Sequence, residues 1–487
     1  MAEEDIASLL LRLEPSVSPF AALERLDLRN AGLAALPLAL PVCAQLSQLD
    51  VSSNRALASL AGVDALVHLR VLFATGCGLG PALPAGGPLS RCPCLYMLSL
   101  KENGLRVLDG DALPATLGWL IAAQNEIDEV RAPHRLQRVR KLMLSHNRLT
   151  TDALEPLVDA AVGLEMLRVA CNRLDAVPRA ARGHPSLAWL ALGGNPYAQR
   201  QLDVRDAVEA SGGSADVAPL LVMSDVPDLR IGDAVLGRGS GATVREGALR
   251  GEPVAVKLWT AELFSDGDAR GECAIGRLTS ACPDVVRTLA VFQQPQLGMV
   301  LELLHGASAA SGPPTFASVT RDALDVAKDR LTPAEALRVA VAVGSACAWC
   351  HARGILHGDV YLHNTLIARA DGADGADGGT PGAISAVRLS DFGASTAYDR
   401  AADGEVLERI EARAFGILLA DLVALCAAPS DASADDGVGA RVRAALTDLA
   451  DLCGQAELLQ VPRFEQLVRA LRAVELDGLQ PVFRKEV

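Results

Sequence analysis

The sequence is poor in aromatic side chains, which supply only 3% of it although half of its residues are apolar. Aliphatic packing must therefore fill the interior. Positive charge is also short, with 45 Lys and Arg against 59 Asp and Glu, a formal charge of -14. General affinity for nucleic acid or an anionic membrane surface needs a surplus of Lys and Arg, so neither is expected as a partner. Long apolar runs are lacking: Val339–Cys350 is uncharged for 12 residues, whereas a bilayer span needs about 20. No membrane span is expected. The opening MAEEDIASLLLRLEP is acidic where a secretory leader carries positive charge, and Arg12 interrupts its apolar run, which argues against export. The eleven cysteines are odd in number and lack a disulfide-framework spacing, as expected of a reducing, cytoplasmic compartment. Cys92-Pro-Cys94 and Cys347-x-x-Cys350 have no second ligand pair at a suitable spacing, so buried thiols are expected there rather than zinc.

What is present first is self-similarity. Copies of one frame begin at Leu23, Leu46, Leu69, Leu95, Leu117, Val139, Leu164 and Leu187, 22 to 26 residues apart, and a repeat of that period implies stacked units. Within LxxLxL the leucines alternate as a short strand requires, and stacking such strands buries a column that no single copy could bury. Asn54, Asn103, Asn125, Asn147, Asn172 and Asn195 fall at the following turn, where an amide side chain can satisfy backbone groups; Ala31 and Cys77 replace it in two copies. The full LxxLxLxxNxL frame resembles the leucine-rich repeat. That resemblance implies an α/β horseshoe arc whose concave face binds a protein partner. The residues between the leucines there are Val71, Phe73, Met97, Trp119, Ile121, Met143, Met166 and, in the last copy, Trp189. So apolar a row is expected to be a contact surface, with docking against the chain's own second half as the alternative.

After Asn195-Pro196 the frame stops, and SGGSAD at 211–216 marks a flexible joint. A second pattern follows. LGRGSGATVREG from Leu236 to Gly247 and then PVAVK ending at Lys257 read as strand, glycine-rich turn, strand, turn, strand. Gly237, Gly239 and Gly241 let a backbone close over phosphates. Downstream come Glu272 in a helix-like stretch, HGDVYLHN at 357–364 and Asp391-Phe392-Gly393. Together, in this order, these resemble a protein kinase domain over about 228–475. The spelling HGDVYLHN is also similar to the HGDLYAHN of kinases linked to leucine-rich repeats in plants and their relatives.

The resemblance implies roles. Lys257 would hold the ATP α- and β-phosphates with Glu272 as its ion-pair partner, Asp359 would accept or orient the acceptor proton, and Asn364 and Asp391 would hold Mg2+. Val235 or Leu236, Val244 and Ala255 would enclose adenine, and Glu302 to Leu304 would offer hinge backbone. Thr332-Pro333-Ala334-Glu335 reads as a capping box with proline at N1, opening the helix that delivers the catalytic loop. The run 412–427 resembles the buried helix that anchors that loop in kinases, with Glu411 where they usually carry Asp.

Five departures qualify the resemblance. Ala242 stands at the third glycine of GxGxxG. Gly358 removes the arginine that pairs with a phosphorylated activation loop. Tyr361 removes a γ-phosphate lysine, and His363 stands where tyrosine kinases place arginine, with packing favoured over a donor role. Only seventeen residues separate Gly393 from Glu411, without APE, which puts the docking of a peptide substrate in doubt. The aspartates of ADGADGADGGTPG at 370–382 lack the remaining features of a calcium loop.

The expected architecture is multidomain: a cap helix at 1–22, a leucine-rich repeat solenoid at 23–200, a linker at 201–227, a bilobal α+β protein kinase-like domain at 228–475 and a tail at 476–487. The expected function is phosphoryl transfer from Mg-ATP to a Ser, Thr or Tyr hydroxyl. The alternatives are a nucleotide-binding scaffold whose repeats carry the function and, third, a small-molecule phosphotransferase like aminoglycoside or choline kinases.

Overall fold

A computed structural model of the chain describes residues 21–210, 228–239, 241–260, 263–264, 267–293, 296–370, 382–426 and 437–479. Residues 1–20 of the expected cap helix, the joint at 211–216, the insertion over 371–381 and the tail beyond 479 lie outside them. The chain divides into two compact units, Met1–Leu187 and Ala188–Val487. Among the described residues no helix is long and apolar enough to cross a membrane.

In the first unit each copy of the frame forms a three-residue strand, Arg25–Asp27, Gln48–Asp50, Val71–Phe73, Met97–Ser99, Trp119–Ile121, Lys141–Met143 and Met166–Arg168. These pair in parallel, in register, each with the next copy. The register stacks Leu26, Leu49, Leu72, Leu98, Leu120, Leu142 and Leu167 in one buried column. Fully burying such a side chain stabilises by about 1.5–3 kcal/mol, so this column carries much of the unit.

The turn asparagines do what their position suggests. Asn125 donates through Nδ2 to the carbonyls of Leu100 (2.9 Å) and Ala122 (3.0 Å), while its Oδ1 accepts from the Asn103 (2.9 Å) and Leu105 (3.0 Å) N–H groups. Asn54, Asn147 and Asn172 bridge neighbouring copies in the same manner. The Cys77 thiol reaches Val51 O at 3.4 Å, a weaker substitute. One feature was not readable in the frame: the residue just before the ladder position is left-handed in every copy, at Asn30, Ser53, Gly76, Glu102, Gln124, His146, Cys171 and Gly194. Most of these are not glycine and bear a conformational cost, which the ladder bonds offset.

The second unit opens with the strand Trp189–Ala191 and the helix Pro196–Ala210. An antiparallel five-stranded sheet follows, in the order Leu229–Arg238, Ala242–Leu249, Glu252–Trp259, Gly298–Glu302, Thr288–Phe292, with the helix Ala269–Thr279 inserted before its last two strands in sequence. The remainder is mainly helical: Pro333–Ala352, Arg400–Leu425, Val438–Cys453 and Phe464–Leu479. Two small pairings lie between these helices in sequence. Thr365–Arg369 pairs with Ile384–Leu389, and Ile355–Leu356 with Thr396–Ala397. The Thr332 capping box is formed, its hydroxyl accepting from Glu335 N–H while the Glu335 carboxylate accepts from Thr332 N–H. Cys347 and Cys350 are buried thiols of that helix, and Cys92 is buried, whereas Cys94, expected to be buried, is exposed.

Candidate active site

The strand Glu252–Trp259 carries Lys257 opposite Val244 on one side and Met299 on the other. Its ammonium pairs with Glu272, a buried residue in the first turn of Ala269–Thr279. Asp268 fixes that turn by accepting from Gly271 N–H at 2.9 Å, an N-cap that satisfies one orphan donor. The same ammonium lies 3.4 Å from Oδ1 of Asp391. Burial opposes the charge on Lys257, but the Asp391 and Glu272 carboxylates outweigh it and hold the ammonium above its ordinary range. The Lys257 ammonium in turn holds the Asp391 carboxyl below the usual carboxylate range. Glu272 is pushed up by burial, with Lys257 pulling the other way.

Asp391 has φ +60°, a left-handed conformation that Asp tolerates better than most residues. The next residue, Phe392, is buried and meets the His357 ring edge-on with centroids 4.6 Å apart. His357 ties both arms of the site together: Nδ1 accepts from Asp359 N–H (3.2 Å) and Nε2 donates to Ser390 O (3.0 Å). Asn364 Nδ2 donates to Asp359 twice, to Oδ2 and to the main-chain oxygen, each at 2.9 Å. Glu411 lies beneath the loop on Arg400–Leu425, its Oε1 accepting from Gly358 N–H at 2.6 Å and its Oε2 2.7 Å from His351 Nε2. Burial raises this carboxyl, but His351, His357 and the Gly358 amide prevail and hold it below the ordinary value.

Of the glycine-rich turn, Gly237 pairs with Val244 beside a bulge, Gly239 N–H donates to Ala242 O (2.9 Å) and Gly241 O accepts from Thr260 N–H (2.9 Å). Ala255 is buried, whereas Leu236 is 46% exposed. Glu302 is already engaged: its N–H donates to Arg287 O (2.9 Å) and its carboxylate accepts from Arg287 N–H (3.0 Å). The Leu304 carbonyl accepts from Ala307 N–H at 3.2 Å.

Residues 232–411 match the family model of the protein kinase domain. No curated protein matches the chain. The kinase match ends at Glu411, well inside the helix Arg400–Leu425. Six residues, Ala394–Asp399, separate Asp391-Phe392-Gly393 from that helix, with Asp399 accepting from Ala401 and Ala402 N–H as its N-cap. The apolar run expected as a helix from 412 is therefore part of a longer helix that begins at Arg400.

The departures from the kinase pattern acquire physical reasons. Gly358 has φ +77°, and a Cβ there would lie 2.5 Å from Ala394 O and 3.2 Å from Leu190 O, so no larger residue fits. Tyr361 is buried, its hydroxyl donating to Thr320 O at 3.0 Å. His363 has a polar partner as well as packing: Nδ1 is 2.6 Å from Oδ1 of buried Asp322, whose Oδ2 accepts from Ser311 Oγ and from His363 N–H. Nothing in the local sequence TRDALD at 320–325 marks Asp322; only the fold brings it to the loop.

The apolar row of the first unit is more buried than expected. Met97 lies between Val71 and Trp119 in the register, and Trp119 lies beside Lys141, whose ammonium is 4.2 Å from the indole centroid. Neighbours about 4.8 Å away on the same face cover one another, so Met97, Met143, Met166 and Trp119 are buried while Val71, Phe73 and Ile121 stay half-buried. Trp189 belongs to the second unit.

Proposed function

We propose that the kinase domain transfers the γ-phosphoryl group of Mg-ATP to a protein hydroxyl, and that the leucine-rich repeats select the protein on which it acts. The carrying observation is the three-way contact of Lys257 with Glu272 and Asp391. It sets one cation and one half-exposed carboxylate side by side, with Asp359 and Asn364 already joined to each other. Phosphoryl transfer asks for positioning and charge neutralisation more than for covalent help. In this reading Lys257 holds the α- and β-phosphates, and the Asp359 carboxylate orients the acceptor hydroxyl and takes its proton as the new oxygen–phosphorus bond forms and ADP leaves.

Asn364 and Asp391 supply an amide oxygen and a carboxylate, hard donors that suit Mg2+. The bound ion would supply further neutralisation of phosphate charge. Leu236, Val244 and Ala255 would enclose the adenine. A small hydroxyl acceptor is the second reading, favoured by the helix that starts at Arg400 directly after the DFG turn.

The test is transfer of label from [γ-32P]ATP in cell lysate, resolved for proteins and for small molecules, with wild type and Asp359→Asn. Labelled protein is expected with wild type. Asp359→Asn should lose turnover by about 10²–10⁴-fold, the usual worth of a positioned acid or base, with ATP affinity retained. Mg-ATP binding without any labelled product would instead make the domain a scaffold.

A further inference from the structure

The strand and helix that open the second unit do not belong to the kinase match, yet they lie on its catalytic loop. The Trp189 indole stacks on the Tyr361 ring, centroids 4.7 Å apart and planes within 5°. Its Nε1–H donates to Val360 O at 3.3 Å, the carbonyl immediately after Asp359. Leu192 N–H donates to Thr396 Oγ1 at 2.9 Å, in the short strand that follows the DFG turn. Gly193 approaches the residue before that strand so closely that a Cβ would lie 2.6 Å from Ser395 O. Further along, the Tyr197 hydroxyl donates to Asp403 at 2.7 Å and Arg205 donates to Gly354 O at 2.9 Å.

The Trp189 contacts fall next to Asp359 and those of Leu192 and Gly193 a few residues after Asp391, while Tyr197 and Arg205 hold the same segment to the helix Arg400–Leu425 and to Gly354. In a kinase domain the placement of the catalytic loop is commonly secured by an ordered activation segment. Here only Ala394–Asp399 lie between the DFG turn and the helix, too few to fold back over the loop. Gly358, by leaving room for Leu190 O, adapts the loop to this added strand.

We infer that the segment Trp189–Arg205 replaces the activation segment, and that Trp189 is a positioning residue for Asp359 through Val360 and Tyr361. This rests on the phosphotransfer reading above. It implies that the loop is held in its working arrangement without phosphorylation, because the brace is part of the folded chain. A stacked ring and a bond to a backbone carbonyl restrict the loop without touching nucleotide, so their loss falls on turnover and spares ATP binding.

The experiment uses the full chain as wild type, Trp189→Phe and Trp189→Ala. Turnover of Mg-[γ-32P]ATP to phosphate and to autophosphorylated protein is followed at saturating ATP, and ATP affinity is measured separately. Trp189→Ala is expected to lose about a hundredfold in kcat, the scale of a small misplacement of a reacting group, with the dissociation constant for Mg-ATP within about twofold of wild type. Trp189→Phe keeps the stacking ring and loses only the donor, so its kcat should fall between those of Trp189→Ala and wild type. If Trp189→Ala fails to fold, Trp189→Phe decides: a kcat below wild type at unchanged ATP affinity supports the inference. Folded variants with wild-type kcat, or with kcat and ATP affinity falling in proportion, overturn it while leaving phosphotransfer intact. A wild type that binds Mg-ATP and never turns over overturns both.

Discussion

Gly358 stands where protein kinases carry arginine, and the reason is local and steric. Its φ of +77° and the 2.5 Å that would separate a Cβ from Ala394 O make any side chain costly. The left-handed backbone penalty is about 1–2 kcal/mol for an L-residue, and overpacking adds about 1–3 kcal/mol. Gly358→Arg, the change that restores the family's letter, should therefore destabilise by about 2–5 kcal/mol in urea unfolding. Gly358→Ala should account for most of that loss, because the first carbon already collides. An arginine variant as stable as wild type would refute the steric account. The same scale explains Glu411: a carboxylate one methylene longer than the usual Asp still reaches both the Gly358 amide and His351.

The helix Arg400–Leu425 is the element on which the site's support depends, and its first half is clamped by charge. Glu408 is buried between Arg400, at 2.9 Å, and Arg463, and also accepts from the Tyr398 hydroxyl. Burial raises its carboxyl, but Arg400, His351 and Arg463 outweigh burial and hold it below the ordinary range. A depressed carboxylate contributes stability that is full above its unfolded value, about 4.3 for Glu, and is lost as pH falls through the lower folded value. Glu408→Gln should thus cost on the order of 2 kcal/mol near pH 7, as expected of hydrogen bonds to charged groups. The gap in Tm between variant and wild type should shrink as pH is lowered below 4; a gap independent of pH would show that charge is not the cause. This helix also marks where the sequence was hard to read. Its first turns bury Asp403, Glu408, Glu411 and Arg413, so polar letters occupy interior positions and no apolar stripe announces a helix before 412. The repeat strands were legible because alternation has one meaning when repeated at a fixed interval, and Pro333–Ala352 because its capping box is a local signal. Lys257, Glu272, Asp359, Asn364 and Asp391 could be picked out by ordered motifs. Trp189 could be picked out as an apolar contact residue but not as a partner of Tyr361, and Asp322 not at all, since their partners lie far along the chain.

At the scale of the whole chain, the repeat frame and the packing units do not end together. The frame runs through Asn195-Pro196, whereas the compact units divide after Leu187, so the eighth copy contributes its strand to the unit that contains the kinase domain. Sequence similarity alone would begin that domain near Asp228, and the kinase match begins at residue 232. Cutting there removes a fully buried Trp189, the Leu192 bond to Thr396 and the Tyr197 bond to Asp403, leaving Tyr361 and Asp403 to face water. Deleting a buried Trp side chain alone costs about 3–5 kcal/mol, which is comparable with the whole stability of many domains, about 5–15 kcal/mol. A fragment starting at Ala188 is therefore expected to unfold in one cooperative transition, whereas one starting at Asp228 should unfold at markedly lower urea or be recovered aggregated. Equal midpoints and equal resistance to limited proteolysis would mean that the opening strand and helix only decorate the kinase domain; a large gap would place its energetic boundary some forty residues ahead of its recognisable sequence.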